Sequence, residues 1–401
     1  MSPRYPALRN RNFLLLWLGL LLSNVGTWMQ NVARSWLIYK LGGDDPLYLG
    51  LLGLSFALPM VTLPPLGGAV ADRVDRVKLL YFTESAALLL AVILALLAWT
   101  STVRPWHLLA TTFVGAVLLA FDNPARQALM AEIVPRDALP NAIALNTSTF
   151  TGAALVGPAL AGLLFDVIGA GWIFMVNALS FLFVLAALVA LRAPPRPSPP
   201  TTSWSEAFLG GFTYAREHRR ACVVLLLSAI AALLGRSYPQ ILPVFASRWH
   251  GGSSSYGALL AGAGAGAFAG ALGLSSFRRV PAPTRAFGAS GLLLAMALAA
   301  FALMPTRIGG VTLLVVVGLA ATIFTTTGAT ILQLDVPGEL RGRVMGLFTI
   351  TVIGLPALGA FGIAALARLV GAPFAVSVGA GLLLLIFLLA APWRTLICRR
   401  P

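Results

Sequence analysis

The chain has 401 residues, 58% of them hydrophobic and only 10% charged, with a formal net charge of +15. Soluble domains carry about 25% charged residues. This composition, with a mean hydropathy of +0.88, excludes a soluble enzyme, a disordered tail protein and a secreted disulfide scaffold. What it leaves is a polytopic membrane protein.

A membrane-spanning helix needs about 20 apolar residues, so twelve spans with short loops use most of the chain. The apolar runs predict helices over 13–39, 47–71, 79–100, 105–130, 140–167, 170–192, 220–247, 255–276, 283–304, 308–333, 341–368 and 372–392. All are expected to be helical, because lipid offers no partner for an open backbone. The basic start of the chain, 1–12, lacks a short apolar region with a cleavage site, so it is expected to lead into an uncleaved first span. Between spans six and seven, Ala193 to Ser203 is too rich in proline for helix or strand. The expected division is therefore an N-terminal six-helix bundle over 1–192, a cytoplasmic linker over 193–219 and a C-terminal six-helix bundle over 220–401.

Charge sets the expected orientation. With the N-terminus inside, 21 of the 28 lysines and arginines fall on inside segments and five on outside segments. That bias places both termini in the cytoplasm. The basic residues recur in short clusters rather than in one patch with aromatic stacking partners, so lipid is expected as a partner and nucleic acid is not. Cys222 and Cys398 have no metal-ligand or CxxC spacing and are expected to be free thiols. No metal, cofactor or nucleotide motif appears, and no histidine-based catalytic pattern.

The two halves resemble each other. Val134-Pro135-Arg136-Asp137 matches Val336-Pro337-Gly338-Glu339, and Gly169-Ala170 matches Gly371-Ala372, at one offset of 202 residues. A parallel repeat of six spans implies substrate binding near the midplane between the halves.

Several polar residues are candidates for function because charges in lipid are costly. Asp122 and Arg126 are four apart on the fourth span, so they share a face. Asp122 serves either proton coupling or a static ion pair with Arg126. Glu84, about five residues into the third span, is expected at the inner boundary as a gate residue or, second, a proton site. Asp335, Glu339 and Arg341 form a gate or solvated cluster, the counterpart of Glu132 and Asp137. Arg34 and Arg236 occupy equivalent helices of the repeat. With Asn24, Gln30, Asn31, Tyr238 and Gln240 they are cavity candidates, offering positive charge and hydrogen bonds to anionic or phenolic groups. The alternative for both arginines is outer-gate bracing or snorkelling.

The segment Gly67-Gly-Ala-Val-Ala-Asp72-Arg73-Val-Asp75-Arg76 resembles the signature loop of the major facilitator superfamily, G-x-x-x-D-R-x-G-R-R. Gly68, Asp72, Arg73 and Arg76 match, and Asp75 stands where a glycine is usual. Asn24-Val-Gly-Thr-Trp-Met-Gln30, Asn123-Pro-Ala-Arg-Gln127 and Leu139-Pro-Asn-Ala-Ile-Ala-Leu-Asn146 resemble the enterobactin-exporter and transmembrane secretion effector branch. The resemblance implies an all-α fold of twelve transmembrane helices in two pseudo-symmetric bundles. It implies a secondary transporter, not an enzyme, that exports small hydrophobic drug- or siderophore-like molecules in exchange for protons. It also implies a bacterial inner-membrane location; a monomer is expected. Gly68 is expected to let a second helix approach, and Asp72, Arg73 and Arg76 to latch the inner gate. Gly152, Gly157, Pro158 and Gly162 look like the antiporter glycine-proline motif, with Ala161 in place of one glycine. A proton-independent uniporter or lipid-like substrate carrier is the nearest alternative, because the first span has no acidic residue. A membrane-embedded enzyme is the alternative of a different class.

Overall fold

The structure is a computed structural model. It describes residues 6–191, 212–276 and 282–390, without the side chains at 338–339. The proline-rich core of the expected linker lies outside these residues, as does Cys398. Among the described residues every regular element is helical, which matches the expected fold class.

The first span is Arg11–Leu41, capped by Asn10, whose side chain accepts from the Phe13 N–H at 3.1 Å. The second span is broken. Leu47–Thr62 and Pro64–Arg73 meet at a 50° bend, because Pro64 and Pro65 supply no N–H to continue the ladder. The third span, Arg76–Trp99, starts on Asp75, which accepts from the N–H groups of Val77 at 3.0 Å and Lys78 at 3.2 Å. The departure from glycine at this position thus gives the helix a cap. The fourth span is Pro105–Ile133.

Leu139–Ala190 runs as 52 helical residues with one non-helical position, Gly169, at φ 76° and ψ 169°. A straight helix of that length would reach about 78 Å, far beyond a bilayer of about 30 Å. Gly169 therefore separates the fifth and sixth spans. Gly371, 202 residues later, has φ 86° between Gly338–Val370 and Ala372–Leu389, the eleventh and twelfth spans. Both positions need a residue without Cβ, which gives the repeated Gly-Ala dipeptide its physical cause.

The seventh span differs from the single helix expected over 220–247. Arg219–Ile230 passes into a π-helical turn at Ala231–Gly235, then a 3-10 turn at Tyr238–Ile241, and resumes as Leu242–Arg248. The eighth to tenth spans are Gly252–Ser275, Pro283–Leu303 and Arg307–Asp335. With the break at Gly169 and the bent second span counted as one, the described residues hold twelve spans.

Loops 41–47, 99–105, 248–252 and 303–307 lie at one end of the bundle. The N-terminal segment, Arg73–Arg76 and 133–139 lie at the other, the basic end. Spans one to six meet spans seven to twelve towards the first of these. Asp45 pairs with Arg368 at 3.2 Å, Lys40 Nζ donates to Ser247 Oγ at 3.3 Å, and Trp36 stacks on Tyr256 with centroids 6.3 Å apart. A Cβ on Gly50 would come within 2.7 Å of Ala364, and one on Gly162 within 2.8 Å of the Gly257 backbone. Small residues let these helices touch, as packing in lipid requires. Towards the basic end, Gly68, Gly152, Gly273 and Gly346 have no described atom within 4 Å of a Cβ position. The contacts just named between the two sets of spans all lie towards the other end.

Candidate functional site

At the basic end, Arg76 joins three helices. It pairs with Asp72 at 3.3 Å, forms a tight ion pair with Glu132, and donates to the Ala71 carbonyl at 3.2 Å. Asp72, Arg76 and Glu132 thus form one cluster at the ends of the second, third and fourth spans. Arg73 is exposed and stands outside it.

The expectation for Gly68 is corrected. Its Cβ position faces open space, whereas a Cβ on Gly67 would sit 2.0 Å from the Ala120 carbonyl oxygen of the fourth span. Gly67 makes the close approach in this form. Gly67→Ala is expected to cost about 1–3 kcal/mol, since a backbone oxygen cannot rotate away. Gly68→Ala is expected to stay within about 0.5 kcal/mol. Thermal unfolding in detergent separates the two.

The buried charges lie one layer deeper. Arg126 forms a tight pair with Asp122 on its own helix and reaches Glu84 Oε1 on the third span at 2.7 Å. Thr83 Oγ1 donates to Asp122 Oδ2 at 2.8 Å. Both oxygens of Asp122 are thereby used. Glu84 Oε2 is buried and has no hydrogen-bond partner among the described residues. Glu84 is 3% exposed and Asp122 4%. The expected boundary position of Glu84 is corrected: it lies inside the first six spans, facing Arg126. Two nearly inaccessible carboxylates share one guanidinium, that of the half-buried Arg126.

A cavity of about 260 Å³ lies between the two sets of spans. Asn31, Arg34, Arg236 and Gln240 line it, together with Trp28, Ser35, Thr112, Ser237 and Tyr256. Leu52, Phe56, Leu260 and Ile353 supply apolar wall. Arg34 Nη1 donates to Thr112 Oγ1 at 3.1 Å, and Arg236 Nη1 to the Val352 carbonyl at 3.2 Å. Neither arginine has an ion-pair partner among the described residues, and no carboxylate lines the cavity.

The remaining cavity candidates lie elsewhere. Gln30 is buried and accepts from Asn177 Nδ2 at 3.0 Å, which ties the first span to the sixth. Asn24 donates back to the Leu20 carbonyl at 2.7 Å. Tyr238 is buried and does not line the cavity. Sequence reasoning missed Ser35 and Ser237, although a signal was present: Arg34-Ser35 and Arg236-Ser237 are 202 residues apart, the offset of the repeat.

In the fifth span, a Cβ on Gly157 would meet Trp28 Cβ at 2.5 Å. Pro158 is buried inside the helix, and its carbonyl lies 2.5 Å from a Cβ position on Gly257. Gly157, Pro158 and Gly162 thus pack against the first and eighth spans, while Gly152 faces open space. Asp335 pairs with Arg220 of the seventh span at 3.0 Å rather than with Arg341, which donates to the Val336 carbonyl at 3.4 Å. The Glu339 side chain lies outside the described residues.

A family model described as transmembrane secretion effector matches residues 2–396. The chain is 27% identical to an uncharacterised MFS-type transporter, YfiS, of Bacillus subtilis, over 96% of this chain and 94% of that one. It is 27% identical to the enterobactin exporter EntS of Shigella boydii, over 73% and 70%. It is 23% identical to the staphyloferrin A transporter of Staphylococcus aureus, where the match spans 57% of this chain and 58% of the relative. Among solved structures, a bacterial homologue of the lysosomal transporter Spinster superposes over the whole of both chains with a TM-score of 0.73 at 18% identity. A POT family transporter bound to 5-aminolevulinic acid superposes over 97% of each with a TM-score of 0.78 at 11% identity. At these identities the two structures fix the fold.

Proposed function

The chain belongs to the transmembrane secretion effector family of the major facilitator superfamily, and on that footing we propose that this secondary transporter is a proton-coupled exporter of small drug- or siderophore-like molecules. It works as two six-span halves that rock about the central cavity, as a monomer in a bacterial inner membrane. The basic end faces the cytoplasm, so the present form is open inwards. The relative named as an enterobactin exporter supports the direction.

One observation carries the coupling. Glu84, Asp122 and Arg126 bury two negative charges against one positive charge. An uncompensated charge in such a place costs several kcal/mol, and a proton removes it. Glu84 is the proton carrier, because its Oε2 lacks a donor while both Asp122 oxygens are satisfied. Asp122 then holds Arg126 in place, the brace of the two roles open to it from sequence. Of the other charged groups near the basic end, Asp72 of the second span, Arg76 of the third and Glu132 of the fourth are paired among themselves, and Lys78 of the third span is exposed.

The test is accumulation in proteoliposomes. Dyes, antibiotics and catecholates are offered to vesicles with the protein's basic end outwards and an acidic lumen. Protons leaving the lumen should drive compound into it, and an uncoupler should abolish the accumulation. Transport that ignores the gradient for every compound carried would replace this reading with a uniporter, which the absence of acid from the first span favours.

A further inference from the structure

Two unpaired guanidiniums in an intramembrane cavity call for a counter-charge. Arg34 and Arg236 come from opposite halves, at positions 202 residues apart, and both line the same cavity. Each spends one N–H on a neutral protein oxygen, Thr112 Oγ1 or the Val352 carbonyl. Arg34 Nε is buried without a hydrogen-bond partner among the described residues. A guanidinium presents several donors in a fixed fork that suits oxyanions.

The local backbone is built for this display. The seventh span leaves regular α-helix at Ala231–Gly235, immediately before Arg236. Such π-turns cost regularity and concentrate at functional sites. Arg236 and Ser237 both line the cavity just after this break, and Arg34 and Ser35 line it across the interface from the unbroken first span. Outer-gate bracing would instead place the arginines against acids; of the acids at that end, Asp44 and Asp45 are taken by Lys40 and Arg368, and Asp166 lies beside Gly252 and pairs with neither arginine.

We propose that the cavity selects an amphiphilic anion, whose carboxylate or phenolate group is held jointly by Arg34 and Arg236 while its apolar body lies against Phe56, Leu260 and Ile353. This deepens the exporter reading and rests on it for the cavity being the transport site. The consequence for mechanism is direct. With no anion bound, closing the cavity brings two like charges into a space with little water, which is unfavourable. A bound anion bridges the halves, so the substrate itself favours closure. Each carboxylate carried outwards also adds one charge to that of the proton carried inwards, so an inside-negative membrane potential should assist export.

The experiment measures equilibrium binding of 2-naphthoate and of its neutral methyl ester to the full chain in phosphatidylcholine nanodiscs. The acid is expected to bind about tenfold tighter than the ester, or more, the effect of charge-assisted hydrogen bonds. Arg34→Gln with Arg236→Gln should erase that preference while ester binding stays. Arg34→Lys with Arg236→Lys should keep part of it, which shows that charge and not folding is being read. Equal binding of acid and ester, no binding of the acid, or a preference that survives both glutamines would overturn the proposal. So would loss of naphthoate binding when phosphatidylglycerol is added, since the guanidiniums would then belong to an anionic lipid headgroup. Binding is independent of coupling: acid preference with gradient-independent transport would sink the proton reading alone.

Discussion

Glu84→Gln is expected to abolish pH-gradient-driven accumulation while leaving substrate exchange between the two faces of the membrane. Glutamine has the shape and charge of the protonated acid, so the variant behaves as a carrier whose proton never leaves. The remaining Asp122–Arg126 pair is balanced, and Thr83 still donates to Asp122, so the fold is expected to survive. The loss should reach about 5- to 150-fold in the accumulation ratio, the usual span of coupling between linked sites. Asp122→Asn should also uncouple, by a different route. It leaves Glu84 alone with Arg126 at 2.7 Å, a balanced pair with no reason to take up a proton. Gradient-driven accumulation at wild-type level in Glu84→Gln would remove this group from coupling. If Asp122→Asn alone lost the response, the proton would belong to Asp122.

The number and order of the spans were legible in the sequence because apolar length is the one property lipid demands of a helix. The Asp122–Arg126 pair was legible too, since a spacing of four fixes a shared helical face. Glu84 as the second partner of Arg126 was not. Counting from a helix end puts Glu84 near the membrane boundary, and only the pairing of the third and fourth spans shows it buried. The cavity divided in the same way. Arg34 and Arg236 followed from lying on equivalent helices of the repeat, but Gln30 and Asn24 lie on the same helix as Arg34 and turn to other partners. Side-chain direction around a helix that is apolar on every face cannot be read from its pattern. The adjacent Gly67 and Gly68 make the point sharply: the motif marks the second, while the contact in this form belongs to the first.

Glycines that contact nothing in one form acquire meaning if the halves rock, and this leads to the second large effect. Gly257→Val should drive the protein out of its present form. A Cβ at Gly257 would lie 2.5 Å from the Pro158 carbonyl oxygen and 2.6 Å from Gly162 Cα. Both are backbone atoms and cannot swing aside, so the fifth and eighth spans must separate at about 1–3 kcal/mol. That is about 5- to 150-fold in population. The readout is maleimide labelling of single cysteines in a chain lacking Cys222 and Cys398. Ser253 is fully buried in this contact and donates to the Gly162 carbonyl at 3.3 Å, so Ser253→Cys should label faster in the Gly257→Val background. Gly346→Cys, at the open basic end, should label more slowly as that end closes. General loosening would raise both rates, so opposite changes identify a rocking equilibrium. Unchanged rates at both positions would mean that this contact is static packing and not the closed side of a gate. Gly68→Leu and Gly152→Leu supply the converse, since both face open space here. They should leave the present form intact, keep Gly346→Cys reactive, and stop transport by blocking closure at the basic end.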